Sequence, residues 1–197
     1  MFDQLKEKYP LLKDKWDDYM SHYHRIEVPA GTVLIKQGQI AKKGFLVEKG
    51  CLRASVGNNG KECTFQFFFE NEMVSSGESF RKQIPSSFTI ETIEPCVLYI
   101  LHKKDWDIMM NDISKIPGMK TKGFDAMLER QYEYMRQFIS SINDSPEERY
   151  MRLVTEKPHI LRRVPLQYIA SYLGVTPVSL SRIRKRLSKK LRVKQDC

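Results

Sequence analysis

Cysteine is scarce in this chain and nowhere closely spaced: Cys51, Cys63, Cys96 and Cys197 stand far apart, with no C-x-x-C pair among them. That spacing argues against a zinc ribbon, a local iron–sulfur cluster or a disulfide framework, which need ligands or partners at short intervals. Reduced thiols, packed in strands or left at the surface, are expected instead. Long hydrophobic runs are missing too. No apolar stretch approaches the ~18 residues of a membrane span, and Met1-Phe2-Asp3-Gln4 is not a basic start followed by a hydrophobic segment. Neither an anchor nor a signal peptide is expected, and the cytoplasm is the expected compartment. The chain shows no internal repeat, no phosphate-cradling glycine loop, no Ser/His/Asp or Cys/His arrangement and no carboxylate pair of clear spacing.

What the chain has is charge, unevenly placed. Its formal excess is +9, and the segment from Ser145 to Cys197 carries all of it, with thirteen Lys and Arg against four acidic residues. A cationic segment of that density raises the local concentration of phosphates and supplies the counterion-release term that dominates nucleic-acid affinity. A length of 197 residues with 41% hydrophobic content suits a main domain of ~100 residues plus a small one.

Residues 26–101 read as short strands between glycine turns: Thr32-Val33-Leu34-Ile35, Gly44 to Gly50, Leu52 to Val56, the turn Gly57-Asn58-Asn59-Gly60, and the aromatic run Phe65-Gln66-Phe67-Phe68-Phe69. Phe88 to Ile93 alternates cleanly, and Cys96 to Leu101 follows it. Turn signals every ~7 to 12 residues indicate an antiparallel β-sandwich or barrel. A short helix precedes it, with Leu5, Leu11, Leu12, Trp16 and Tyr19 as its expected apolar face. Beyond Lys103 helical periodicity takes over, broken by Pro117-Gly118. Phe124, Met127, Gln131, Tyr134 and Phe138 then fall at a/d spacing, with Leu128, Met135 and Ile142 widening the stripe. The stripe either packs on its own β-domain or meets a second subunit, with Gln131 at the seam; its length favours the dimer. Ser145, Pro146 and Glu148 spell an N-cap, a first-turn proline and a capping box, so a further domain starts there. These boundaries give an α+β chain divided at 1–116, 117–143 and 144–197.

The most specific signal runs from Pro165 to Leu187. Leu166, Ile169, Ala170 and Leu173 form one apolar face, Gly174 suits a tight turn, Val175 plugs the core, and Thr176 with Pro177 starts a second helix whose Leu180, Ile183 and Leu187 point inward. Pro177, Val178, Ser181, Arg182 and Lys185 face outward, as on a recognition helix entering the major groove. Arg182 is the first choice for bidentate contact with guanine. Thr176, Ser179, Lys185, Arg186, Lys189 and Lys190 suit phosphates. A solvated basic helix with no partner is the bland alternative.

With Pro29 to Gly38, Phe45 to Gly50, Gly60-Lys61-Glu62 and this helix-turn-helix in order, nearly the whole chain resembles the Crp/Fnr family of bacterial transcription regulators. The resemblance implies an N-terminal jelly-roll-like β-roll of the cyclic-nucleotide-binding type, a long dimerisation helix and a C-terminal winged helix-turn-helix. It further implies a homodimer on a roughly palindromic double-stranded operator with half-sites ~34 Å apart, and RNA polymerase as a possible further partner. In cyclic-nucleotide binders of the family a cassette supplies Glu for the ribose and Arg for the cyclic phosphate. Here the matching stretch holds Ser75, Ser76, Gly77, Glu78, Ser86 and Ser87: Ser86-Ser87-Phe88 stands in the Arg-Ser-Ala place and Ser76 in that of the Glu, with Gly77-Glu78 as the alternative for a shorter loop and Arg81 or Lys82 as the alternative cation. A buried anion without a fixed guanidinium is costly, so cyclic AMP is not the expected effector, no cofactor is expected, and any effector is unidentified. Family members that read the common Arg-Glu-Arg pattern carry polar residues where Pro177 and Val178 stand, and Arg182 matches the last of that pattern. The wing has few residues left to form it beyond Leu187.

Two alternatives stay open. His22 and His24, sharing a strand face, could hold a catalytic metal with Glu27 in a cupin-like enzyme, although Glu27 has the opposite parity and no later histidine appears before His102. The β-domain could also have lost small-molecule sensing and serve as a protein-interaction module.

Overall fold

The computed structural model describes residues 6–7, 9–58 and 60–195, and for residues 58, 61 and 189–195 it describes the backbone. Leu5 and Cys197 lie outside the described residues. A 3-10 turn at Pro10–Lys15 runs into helix α1 (Trp16–Ser21). Leu12, Trp16 and Tyr19 are buried there against Leu101, Met109 and Met119, as their spacing predicts. Leu11 is the exception: it is 48% exposed, because with three residues per turn it does not share the face of its buried neighbour Leu12.

Eight strands follow: β1 (His24–Val28), β2 (Val33–Ile35), β3 (Lys43–Lys49), β4 (Leu52–Asn58), β5 (Lys61–Phe68), β6 (Met73–Val74), β7 (Thr89–Thr92) and β8 (Cys96–His102), with the short helix α2 (Gly77–Lys82) between β6 and β7. They form two four-stranded antiparallel sheets, ordered β1-β8-β3-β6 and β2-β7-β4-β5. Alternate residues of both sheets meet between them: Phe45, Val47 and Leu98 face Leu52, Ala54 and Ile90. This is the expected β-roll, and the alternation of Thr89 to Thr92 is the burial pattern observed. β1 begins earlier than the apolar pattern shows, because its exposed side is a charge ladder in which Arg25 bonds Glu27 at 2.8 Å and Glu48 at 2.9 Å. Cys51 and Cys96 are buried and Cys63 is exposed, all as free thiols.

Beyond the sheets come α3 (Lys103–Ile113), α4 (Met119–Asn143), α5 (Pro146–Glu156), α6 (Pro158–Arg163), α7 (Leu166–Tyr172) and α8 (Pro177–Gln195). Gly118, at φ +83°, caps α4 in the left-handed conformation, which makes the Pro117-Gly118 break. Among the described residues no strand follows β8, and none of the helices is long and apolar enough to cross a membrane.

Candidate nucleic-acid interface

The turn between α7 and α8 is fixed by backbone bonds. Gly174, at φ +67°, allows its own N–H to reach the Ser171 carbonyl (3.0 Å) and the Val175 N–H to reach that of Ala170 (2.9 Å), the Schellman pattern. Arg149 of α5 closes the remaining gap, donating to the Leu173 carbonyl at 2.9 Å while its other nitrogen bonds the carbonyls of Ser141 and Asp144 at 3.1 and 2.8 Å. One guanidinium thus ties the end of α4 to the turn. Thr176 caps α8, accepting the Ser179 N–H at 3.1 Å, with the two hydroxyls 2.9 Å apart. Leu180 and Ile183 are buried and Leu187 half-buried.

On the outer face Thr176, Pro177, Val178, Ser181, Arg182 and Lys185 are exposed, and Ser179 is half-buried beside the cap. Among the described residues Arg182 and Lys185 have no ion-pair partner, whereas Arg186 pairs with Glu147. The side chains of Lys189 and Lys190 lie outside the described residues. Charge counting alone overstates the outward field: Arg152 pairs with Asp144 at 2.7 Å, and Arg163 turns toward the β-roll.

That inward turn builds a seam the sequence does not show. Arg163 grips Glu70, in the turn after β5, through two bonds of 2.7 Å, reaches Glu94 as well, and lies 5.1 Å from the Phe69 ring. Arg163 holds the Glu70 carboxyl down at about 2, against burial, which raises it. From the other side Arg53 of β4, 4% exposed, pairs with Glu62 and Glu91, bonds Thr64 at 3.1 Å, and stacks 4.1 Å over the Tyr168 ring of α7. Ser171 accepts the Thr64 N–H at 2.9 Å and donates to the Glu62 carbonyl at 3.1 Å. Between these polar ties Cys51 and Phe67 of the β-roll pack with Leu153, Ile160, Ile169 and Leu180. Burial there pushes the Cys51 thiol well above the usual range, and burial in the core between the sheets pushes the Cys96 thiol up to about 11.

Helix α4 is arranged the other way. Phe124, Met127, Gln131, Tyr134 and Phe138 are all exposed, Leu128 is half-buried, and Phe138 and Ile142 leave 61% and 66% of their surface open. Tyr132 and Ile139 extend the stripe beyond the expected residues. Beyond Met119, which is buried with Leu12 and Trp16 at its start, the helix meets its own chain through a polar group: Gln137 donates to the Phe65 carbonyl at 2.8 Å, and Ser140, buried, bonds Asp144 at 2.6 Å. A helix that shows polar residues inward and apolar ones outward inverts the usual surface-helix pattern.

The cassette is closed on itself. Ser76 and Ser86, 2% and 3% exposed, share a hydrogen bond of 2.9 Å, and Ser86 donates to the Phe88 carbonyl at 2.6 Å. Ser75 donates to the Lys43 carbonyl, Gly77 and Ser87 are exposed, and Glu78 is exposed on α2, paired with Lys82 at 2.8 Å. Arg81 is likewise exposed. Two buried hydroxyls satisfied by each other and by backbone offer neither a ribose carboxylate nor a guanidinium, so these residues do not fit a cyclic nucleotide.

The histidines do not assemble as a strand pair. His22 is the cap residue that ends α1, not part of a strand, and its Nδ1 lies 3.5 Å from Asp105, while His24 opens β1 and meets His102 edge-on at 6.2 Å. Glu27 is exposed and paired with Arg25. Among the described residues no three His, Cys, Asp or Glu side chains gather as a ligand set.

Known proteins match this architecture. The family described as Cyclic nucleotide-binding domain matches residues 25–112. The c-di-GMP-responsive global regulator CLP of Xanthomonas campestris is 16% identical, with 90% of this chain and 92% of that one covered at a TM-score of 0.70. A candidate transcriptional regulator of the Crp/Fnr family from Eubacterium rectale is 19% identical, with 92% and 87% covered at 0.69. FixK2 of Bradyrhizobium japonicum is 14% identical, with 85% of each chain covered at 0.66. No curated protein sequence matches the chain. Residues 25–112 thus match the cyclic nucleotide-binding domain family, and the chain as a whole has the fold of the Crp/Fnr transcription regulators.

Proposed function

We propose that the chain is a sequence-specific DNA-binding transcription regulator of the Crp/Fnr type, working in the cytoplasm as a homodimer on a two-fold operator. Residues 1–116 serve as the sensor, 117–143 as the dimerisation helix and hinge, and 144–197 as the reading head. The observation that carries this is the outer face of α8. Val178, Ser181, Arg182 and Lys185 stand open at the start of a capped helix, and Arg182 and Lys185 are unpaired among the described residues. Cationic donors on an exposed helix of this kind have a phosphate and base-edge partner in the major groove. The inverted pattern of α4 supports the dimer, since eight exposed apolar side chains along one helix need a protein surface to cover them.

The β-roll reports a signal other than cyclic AMP or cyclic GMP. The closed pair Ser76 and Ser86 favours equally a β-domain that acts through protein contacts, RNA polymerase among them. Selection from a random duplex library with excess genomic competitor tests the central reading: a palindromic motif is the expected result, and no enrichment above competitor sinks it. Within the motif, Arg182→Ala should cost affinity at one base pair by ~1 to 3 kcal/mol. Lys185→Ala should weaken all sequences alike and lower the salt slope by ~1.

A further inference from the structure

On the outer face of α8 two exposed residues, Pro177 and Val178, have no group for phosphate binding. Val178 is a β-branched apolar side chain, 61% exposed, in the first turn of a helix whose neighbours on that face are Ser181, Arg182 and Lys185. It adds nothing to the buried side of the helix, which Leu180 and Ile183 supply, and it has no hydrogen-bonding group to offer a phosphate. Its position relative to Arg182 is fixed: four residues apart on one helix places the two Cβ atoms ~5 to 6 Å apart on the same face. That distance matches one or two base-pair steps of ~3.4 Å. The major groove presents one prominent apolar group at base level, the 5-methyl of thymine, and apolar side chains are its usual contact. Pro177, also exposed, lies directly before Val178 at the same end of the helix and lengthens the apolar edge.

We infer that Val178 is a specificity-determining residue that reads a thymine methyl one or two base pairs from the guanine read by Arg182. The inference rests on the DNA-binding reading above and names what that site recognises. The apolar group excludes water from the methyl, while a cytosine there would leave its N4 amino donor facing a side chain that cannot accept. The operator half-site therefore contains a T and a G on this spacing, with the thymine dependent on one side chain.

The test is a chemical cycle on the selected operator, using the full-length protein. Thymine at the assigned position is replaced by uracil, which deletes only the methyl, and each duplex is titrated with wild type and with Val178→Ala. Wild type should lose about fourfold in affinity per half-site on the uracil duplex, the scale of one buried methyl. Val178→Ala should lose the same on thymine DNA and show no further loss on uracil. As a second readout, Val178→Glu should move the selected base at that position from thymine toward cytosine, whose amino group a carboxylate accepts. A selected motif in which the uracil and Val178→Ala losses simply add, or in which Val178→Glu leaves the preferred base unchanged, overturns the inference and leaves the DNA-binding reading intact. Failure to select any motif overturns both.

Discussion

Two surfaces of this chain are built on opposite plans. At the seam between the β-roll and the C-terminal helices, an apolar layer containing Phe67, Ile169 and Leu180 is rimmed by charged ties, Arg163 to Glu70 and Glu94 on one side and Arg53 to Glu62 and Glu91 on the other. These charged groups are paired within one chain. Along α4 the layers are reversed: polar Gln137 and Ser140 face inward, and Phe138, Ile139 and Ile142 face outward uncovered. The first surface is covered and the second lies open. Charged ties of the Arg163 kind orient two units without requiring them to be apolar throughout, whereas an uncovered apolar stripe gains by burial against a second copy at ~25 cal/mol per Å².

The largest effect should come from breaking the open half. Phe138→Glu combined with Ile142→Glu places two carboxylates on the stripe without touching the groups that hold α4 to its own chain. The variant should keep its circular dichroism, sediment as a monomer at micromolar concentration where wild type is a dimer, and lose at least about a hundredfold in operator affinity, because two half-sites are then no longer bound as one. A wild-type monomer would remove this half of the comparison. Breaking the closed half should act on stability and leave the mass alone. Arg163→Ala strips two carboxylates of their cation, but each partner is about a third exposed, so solvent screens the pair and a loss of about 1 to 2 kcal/mol in urea unfolding is expected.

Acid sharpens that second result. Glu70 is held at about 2 by Arg163, below the ordinary carboxyl value of 4.5. A group depressed on folding stabilises the native state above its unfolded pKa, and that contribution is lost as the pH falls through the folded value. The stability gap between wild type and Arg163→Ala should therefore be full at pH 7 and shrink between pH 4.5 and pH 2. A gap that stays constant over that range would show that Glu70 is not the partner that matters.

The elements legible in the sequence are those whose cause is local. The box of Ser145 with Glu148, the turn at Gly174, the cap at Thr176 and the alternation of Thr89 to Thr92 each depend on residues within a few positions, and each stands where spacing puts it. What spacing cannot show is a tie between distant segments. Arg163 and Glu70 are 93 residues apart, and Arg53 meets Tyr168 across more than a hundred. Both arginines are silent in any local pattern, and Arg163 is miscounted as part of an outward cationic face. Arg149 is silent for a different reason: its partners are backbone carbonyls, which every residue carries. The exposed Leu11 and the helix-ending His22 depart from expectation because a single turn of helix or strand, more or less, changes which side a residue faces.

The smallest predicted effect tests whether the two surfaces communicate. Ser145 stands between them, capping α5 directly after the end of α4; its hydroxyl accepts the Glu148 N–H at 3.3 Å and its own N–H is held by the Glu148 carboxylate at 2.7 Å. Ser145→Ala removes one half of that box and should cost about 1 kcal/mol of stability. If α5 transmits the position of α4 to the reading head, operator affinity should fall by more than the dimer mass or the unfolding midpoint explains, because the frayed first turn also loosens Arg149, which links the carbonyls of Ser141 and Asp144 to that of Leu173. If affinity follows stability alone, α5 only supports the reading head, and the two surfaces act independently of each other.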